Sequence, residues 1–226
     1  SLASIGIRTP KDVLAMTHKD KQKIASWRGW GPKLVDNIMT EVFEQAHRKM
    51  CYDCHKPHSQ CICDAIIKIK NQTHVLILQH PRERFHAIGT ARIASLALAN
   101  SHLEVAWKGF CDQENIGGLL QPDAGILYPS DDAVDLADVP SHALPKQLVV
   151  LDGTWHTAKQ IYRDHRVLHG LPKFALSPLA PSQYRIRKAP KPEQRSTIEA
   201  IWQALLHIEP NTTDLDSLLV VFKEMI

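Results

Sequence analysis

The residues best suited to chemistry lie where an apolar strand pattern gives way to a helix pattern. Residues 148–162 read LVVLDGTWHTAKQIY, so a buried strand leads directly into Asp152, Gly153, Thr154 and Trp155. A carboxylate, a flexible glycine, a hydroxyl and an indole would then stand at the carboxyl end of a strand, where open α/β sheets bind their ligands. The alternative is an ordinary helix start, with Thr154 as its N-cap and Trp155 in the core. The junction predicts a ligand-binding edge and leaves this alternative open.

Four of the five cysteines lie within thirteen residues and are spaced as two close pairs: Cys51, Cys54, Cys61 and Cys63. Four thiolates this near in sequence can converge on one tetrahedral ion, and a set of four sulfur ligands favours zinc. The ligand type also allows an iron–sulfur cluster. Because the protein fills all four positions, we expect a structural metal rather than a catalytic one. The fifth cysteine, Cys111, stands apart.

A second polar cluster, His80-Pro81-Arg82-Glu83, follows another strand pattern at residues 74–79. The proline stops strand pairing, and its neighbours would reach the edge that carries Asp152 if the strands are parallel. Arg82 and Glu83 would be presented at that edge. The alternative is a surface turn with a weak local ion pair.

A basic segment precedes the last part of the chain. Residues 181–195 contain five basic residues and one acidic residue. Arginine binds phosphate oxygens, and an interleaved tyrosine can stack on a base. The candidates for nucleic-acid contact are Tyr184, Arg185, Arg187 and Lys188. A solvated basic loop is the alternative, although four nearby prolines make the segment stiff and favour binding.

Ser196, Thr197 and Glu199 then open a helix pattern. Hydroxyls at a helix N-terminus suit an anionic or amino-acid-like ligand group. Equally, Ser196 and Glu199 have the spacing of a capping box.

The elements that must position these residues alternate along the chain. Strand patterns occur at 74–79, 103–107, 125–128, 147–151 and 173–177. Helix patterns occur at 88–99, from 155 to 165, and at 196–207 and 214–226. This alternation predicts an α/β fold with a mainly parallel sheet covered on both faces. We expect the acidic stretch at 123–138 to be a solvated loop.

Residues 1–48 read instead as a small helical module. Its Arg28-Gly-Trp-Gly-Pro-Lys33 turn resembles a helix-hairpin-helix element, in which glycines let backbone N–H groups approach a phosphate. Arg28 and Lys33 would add charge to that contact. Residues 1–50 hold nine Lys/Arg and five Asp/Glu, whereas the remainder is nearly neutral, which favours a nucleic-acid partner. The alternative is a Gly-rich connection between two helices.

Composition predicts a soluble, intracellular protein. The chain has 226 residues, of which 44% are hydrophobic, but no apolar run approaches the ~18 residues of a membrane helix and no signal segment opens the chain. We expect a cytoplasmic protein without a membrane partner. The oligomeric state stays open, and a monomer is compatible with the sequence.

Taken together, these motifs resemble the DTW-domain family of tRNA-uridine aminocarboxypropyltransferases, which is related to the SPOUT superfamily of knotted α/β enzymes. The resemblance covers residues 49–226 and leaves the module at 1–48 outside. It is carried by the four cysteines, HPRE at 80–83, LYPSDDA at 127–133, LDGTW at 151–155, YRIRKAP at 184–190 and STIEA at 196–200.

The resemblance implies a SPOUT-like sheet with a C-terminal trefoil knot that binds S-adenosylmethionine. The 3-amino-3-carboxypropyl group of this donor would move to nitrogen 3 of a uridine in tRNA, releasing methylthioadenosine. Asp152 would act as general base or stabilise the attack geometry, while Thr154 and Trp155 shape the pocket. The other residues expected around the donor are Leu127, Tyr128, Pro129, Ser130, Gly153, Ser196, Thr197 and Glu199. Arg185, Arg187 and Lys188, with His80 and Arg82, would hold tRNA phosphates.

Two alternatives stay open. One is an RNA methyltransferase on the same fold, which would use the same donor and release S-adenosylhomocysteine. The other is a non-catalytic nucleic-acid-binding protein built from the zinc element and the helical module.

Overall fold

The chain divides into two compact units, one of residues 1–51 and 57–60, the other of residues 52–56 and 61–226. The structure is a computed structural model that describes Lys33 and residues 50–86, 89–108, 116–177 and 195–225. In the first unit, Lys33 is helical and exposed, and Met50 forms an isolated antiparallel bridge with Pro57. The rest of the expected module at 1–48 lies outside the described residues, so the module and its boundary stay predictions.

The second unit is built on a six-stranded sheet in which every described strand pair is parallel. The strands are β1 His74–Gln79, β2 Ser101–Val105, β3 Ala124–Leu127, β4 Val134–Asp135, β5 Gln147–Asp152 and β6 Lys173–Ala175. Their order across the sheet is β2-β1-β5-β3-β6-β4. The central strands β1 and β5 are apolar and buried almost throughout, as strands covered on both faces must be. The predicted α/β fold with a mainly parallel sheet is confirmed.

Helices cover both faces of this sheet. The described residues of the second unit contain four α-helices: α1 Thr90–Ala97, α2 Trp155–Asp164, α3 Thr197–Ile208 and α4 Ser217–Met225. Ile161 of α2 packs in one buried cluster with Leu76 and Val149. Side chains along a strand alternate between the two faces of the sheet, so Val149 and Asp152, three residues apart on β5, lie on opposite faces. The first residue of α3 contacts Asp152 on the second face. On that second face α1, α3 and α4 pack against one another.

The register of the sheet brings the ends of β1 and β5 together. Gln79, the last residue of β1, pairs with Asp152, the last residue of β5. The next backbone N–H, that of His80, donates to the Asp152 carbonyl at 2.9 Å. Because all strands run the same way, the segments that follow β1, β2, β3 and β5 share one edge of the sheet.

Each of the five predicted strands is present, with ends displaced by at most two residues. The expectation of a solvated loop at 123–138 is wrong in part, because beyond the separately predicted β3 this stretch contains β4, which pairs with β6. Leu136 in the same stretch is buried. With Asp135 as one of only two residues, this edge strand has no recognisable sequence pattern. Among the described residues, no helix is both long and apolar enough to cross a membrane.

Close packing of β3 against β6 generates a stability prediction. A Cβ at Gly125 would lie 2.3 Å from Cε2 of Phe174, whose ring is buried. Gly125→Ala therefore forces the ring or the strands to move, and we expect it to lower the free energy of unfolding by about 1–3 kcal/mol, measured by urea denaturation. Gly118→Ala is the matched control, because a Cβ there meets nothing within 4 Å. Equal stability of the two variants would contradict this packing.

Candidate active site and metal site

The Asp152 carboxylate is held between two strands and a helix. Its Oδ2 atom accepts a hydrogen bond from Gln79 Nε2 at 2.9 Å. Its Oδ1 atom accepts one from Thr197 Oγ1, the first residue of α3, at 2.6 Å. Asp152 is only 7% exposed and Gln79 only 3%. The register of β1 and β5 places Gln79 beside Asp152, and α3 completes the arrangement.

These two donors give the buried carboxylate the environment that an anion requires. An ionised carboxylate is an acceptor only, and burying it without partners is costly. Both oxygens have a donor here, so the group is fixed in one orientation.

The turn after β5 combines a cap with an exposed indole. Thr154 is the N-cap of α2, and its Oγ1 accepts from the backbone N–H of Thr157 at 3.3 Å. The capping alternative for Thr154 is therefore present in the structure. Trp155 is 41% exposed, so the alternative that places it in the core is wrong. A Cβ on Gly153 would lie 2.4 Å from Thr157 Oγ1, which explains why this tight turn carries glycine.

A capping box forms the start of α3. The Ser196 hydroxyl donates to Glu199 Oε2 at 2.7 Å, and the backbone N–H of Ser196 donates to the same oxygen at 2.9 Å. Glu199 is buried, and its own N–H returns a hydrogen bond to Ser196. This box fixes the start of the helix, and Thr197 between the two residues is the one that reaches Asp152.

The segment after β1 forms a short 3-10 helix, Pro81–Glu83, with His80 as its N-cap. The Nδ1 atom of His80 accepts from the backbone N–H of Arg82 at 3.2 Å. Burial, and then the Arg82 cation, lower the pKa of His80. At neutral pH His80 therefore offers an Nε2–H donor rather than a positive charge. The Arg82 side chain is exposed.

The segment after β3 is anchored by an aromatic stack. The Tyr128 ring lies 4.2 Å from the ring of Tyr162 on α2, and burial together with this neighbour raises the pKa of Tyr128. Leu127 and Ser130 are partly buried on either side of it, and Pro129 is exposed. Ser130 Oγ donates to Asp132 at 2.7 Å. Hydrogen bonds from Lys173 and Ser130 lower the pKa of Asp132.

The four clustered cysteines converge. Their sulfur atoms all lie within 4.8 Å of one another, and Cys51 and Cys54 are buried. The Cys54 and Cys61 sulfurs are 3.8 Å apart. Four ligands about 2.3 Å from a tetrahedral ion would stand about 3.8 Å from each other, so the donor set fits a metal ion. Cys63 completes it.

These residues lie in the part of the chain that matches a known family. The DTW domain model matches residues 48–226. The chain belongs to the DTW-domain family.

Curated relatives of this DTW domain come from animals and plants. A tRNA-uridine aminocarboxypropyltransferase 2 from Drosophila melanogaster is 35% identical over 170 residues, covering 72% of this chain and 67% of the relative. The Mus musculus protein of the same name is 28% identical, with 82% and 65% covered. A tRNA-uridine aminocarboxypropyltransferase A from Arabidopsis thaliana is 27% identical, with 84% and 86% covered. The chain thus spans about two thirds of the length of the animal relatives. No solved structure matches significantly.

Within this DTW domain, the structure brings together most of the residues singled out from the sequence. The segments containing His80, Tyr128, Asp152 and Trp155 follow parallel strands and share one edge, and Thr197 contacts Asp152. Others lie outside the described residues: Arg28, Tyr184, Arg185, Arg187 and Lys188.

Two residues at this edge were missed by sequence reasoning. Gln79 is the last residue of β1, and the four residues between His74 and Gln79 are apolar. A polar residue at the end of a buried apolar strand is the sequence signal that could have identified it. Trp107 follows β2 and is 46% exposed. The sequence pattern predicts it as the last residue of a strand rather than as part of the edge.

The hydrogen bond between Gln79 and Asp152 is testable by a double-mutant cycle. Gln79→Leu removes one donor from a buried carboxylate, and we expect a loss of about 1–3 kcal/mol in the free energy of unfolding. The same change should cost much less in an Asp152→Ala background, because the carboxylate is gone. Gln72→Leu, at an exposed position, is the control. Additive effects at 79 and 152 would argue against the interaction.

Proposed function

We propose that this chain transfers the 3-amino-3-carboxypropyl group of S-adenosylmethionine to nitrogen 3 of a uridine in tRNA, with methylthioadenosine as the by-product. The observation that carries the proposal is the fixed Asp152 carboxylate at the carboxyl edge of a parallel sheet, within a DTW domain. The names of the fly, mouse and Arabidopsis relatives support the same activity.

In this reaction, nitrogen 3 of the uracil forms a bond to carbon, and its proton must leave. The donor's sulfonium makes the adjacent carbon electrophilic, so the carbon–sulfur bond breaks as the carbon–nitrogen bond forms. We assign Asp152 as the base that accepts the imide proton, or as the group that orients the attacking nitrogen. Gln79 and Thr197 each hold one oxygen, so the carboxylate keeps one orientation. Such fixed orientation can supply a large part of the rate enhancement.

The remaining edge residues would form the pocket. We assign the exposed Trp155 indole to packing against the adenine or the uracil, with Gly153 and Thr154 shaping the turn beneath it. Residues 127–130 would form the loop against the donor. Ser196, Thr197 and Glu199 are engaged inside the protein, so we propose that their side chains support the pocket by fixing Asp152 and α3.

tRNA would approach the same edge. The exposed Arg82 and the Nε2–H of His80 follow β1 there, and the basic segment at 181–195 directly precedes α3 in sequence. We propose that Tyr184, Arg185, Arg187 and Lys188 contact RNA, and that the helical module adds Arg28 and Lys33. A SPOUT-like trefoil knot and a cytoplasmic location belong to the same proposal.

The activity test is product analysis. The chain is incubated with tRNA and S-adenosylmethionine, and nucleosides and small molecules are identified by mass spectrometry. We expect 3-(3-amino-3-carboxypropyl)uridine and methylthioadenosine. Asp152→Asn should lower the rate at least ~100-fold, the usual minimum for a catalytic base. Asp131→Asn, at an exposed position on the same edge, is the matched control.

Each other outcome has a distinct meaning. S-adenosylhomocysteine with a methylated nucleoside would identify an RNA methyltransferase. No donor binding by calorimetry and no product would leave a non-catalytic nucleic-acid-binding protein. Full activity of a folded Asp152→Asn variant would remove the base assignment and leave group transfer intact.

We also propose that the cysteine cluster holds a structural zinc ion. All four ligands are protein thiolates, so no position is left for water or substrate, and the metal contributes to folding. Elemental analysis should find one zinc per chain. Cys54→Ser should lose the metal and lower Tm, whereas Cys111→Ser, outside the cluster in sequence, should retain it. Iron in place of zinc would contradict the assignment.

A further inference from the structure

Two aromatic side chains, Tyr52 and Phe85, are used by neither the core nor the Asp152 site. Tyr52 is 91% exposed and Phe85 is 73% exposed. Single exposed apolar residues are ordinary on protein surfaces. These two differ because neighbouring side chains contact the Phe85 ring, and the backbone of Tyr52 is tied to α1.

Phe85 is restrained on a short segment after the 3-10 helix. Its ring stacks with the ring of His55 at 5.9 Å between centroids and an interplanar angle of 28°. The Arg84 guanidinium carbon lies 4.9 Å from the centroid of the same ring. The ring is therefore oriented by two neighbours while most of its surface faces solvent.

Tyr52 is restrained through its backbone. Arg92 of α1 donates from Nη2 to the Tyr52 carbonyl at 3.3 Å and from Nε to the Asp53 carbonyl. The turn that carries Tyr52 and His55 is thereby tied to α1, whereas His55 contacts Phe85. His55, Arg84 and Phe85 are thus in contact, and Tyr52 stands on the turn that carries His55. We call these four residues the aromatic patch.

The charges around the aromatic patch suit a polyanion. Arg82, Arg84 and His86 are exposed beside Phe85, and the exposed acid on the facing turn is Asp53. Exposed rings with adjacent arginines are the combination that binds single-stranded nucleic acid, because rings stack on bases and guanidinium groups contact phosphates.

The aromatic patch also lies near the reacting edge. His80 donates its backbone N–H to Asp152, and Phe85 is five residues further along the chain. Five residues span at most about 18 Å, and the intervening 3-10 helix shortens this reach. A nucleotide on Phe85 would therefore lie within a few nucleotides of a uridine at Asp152.

We propose that Tyr52 and Phe85 stack on unpaired nucleotides of the tRNA substrate close to the modified uridine, with Arg84 on an adjacent phosphate. This assignment rests on the proposed function. Stacking of this kind tolerates any base, so the aromatic patch contributes affinity and position rather than sequence selection.

The test is equilibrium tRNA binding by the full chain without donor, followed by fluorescence anisotropy. Phe85→Leu keeps an apolar side chain but removes the ring, and we expect it to weaken binding about 5- to 100-fold. Tyr52→Leu should act likewise, and Phe85→Tyr should restore the affinity. Ile67→Ala changes an exposed apolar residue of another segment and is the control. In steady-state assays, Phe85→Leu should raise KM for tRNA and leave kcat nearly unchanged.

The outcomes separate this inference from the proposed function. If Phe85→Leu and Tyr52→Leu retain metal, Tm and wild-type affinity for tRNA while the enzyme modifies its substrate, the aromatic patch does not bind RNA and the inference is wrong. A loss that Phe85→Tyr fails to restore would point to a structural role and would overturn it as well. A wild-type chain that binds no tRNA would contradict the proposed function itself.

Discussion

A buried carboxylate with a donor at each oxygen is the constraint on which the site depends. Gln79 and Thr197 are 73 and 45 residues from Asp152 in sequence, yet both donate to its side chain. Leaving such a group buried without partners costs several kcal/mol, so an ionised Asp152 requires β1, β5 and the start of α3 in this relation. The parallel register and the capping box of α3 are therefore part of the site as much as of the fold.

Local patterns predicted much of this arrangement, and pairing explains what they missed. The apolar run of β5 followed by a polar turn identified the edge, and the spacing of Ser196 and Glu199 identified a cap. Gln79 could not be interpreted in the same way, because its meaning depends on its pairing with Asp152 across the sheet. The exposure of Trp155 depends similarly on tertiary packing, which a strand-to-helix pattern does not specify.

Within the segment at 51–63, the cysteines could be interpreted from local sequence, whereas Tyr52 could not. The cysteine ligand set was readable because all four sulfurs come from thirteen neighbouring residues, and they do converge. Tyr52, one position after the first of them, had no such signal. Its relation to Phe85 requires the His55 ring and the reach of Arg92 from α1, some forty residues away.

The fixed Asp152 carboxylate and the exposed aromatic rings suit different requirements of the proposed reaction on a base nitrogen. Nitrogen 3 of uracil lies on the edge used for base pairing, so a reactive uridine must be unpaired and turned out of its stack, which costs a few kcal/mol. The exposed rings of Trp107, Trp155 and Phe85 offer surfaces that can replace lost stacking. In the proposed reaction, the Asp152 carboxylate gains from immobility, because a proton acceptor that is already oriented loses no entropy in the transition state. In the proposed reaction, the buried hydrogen bonds thus orient Asp152, and the exposed rings offer stacking surfaces to bases that have left their stack.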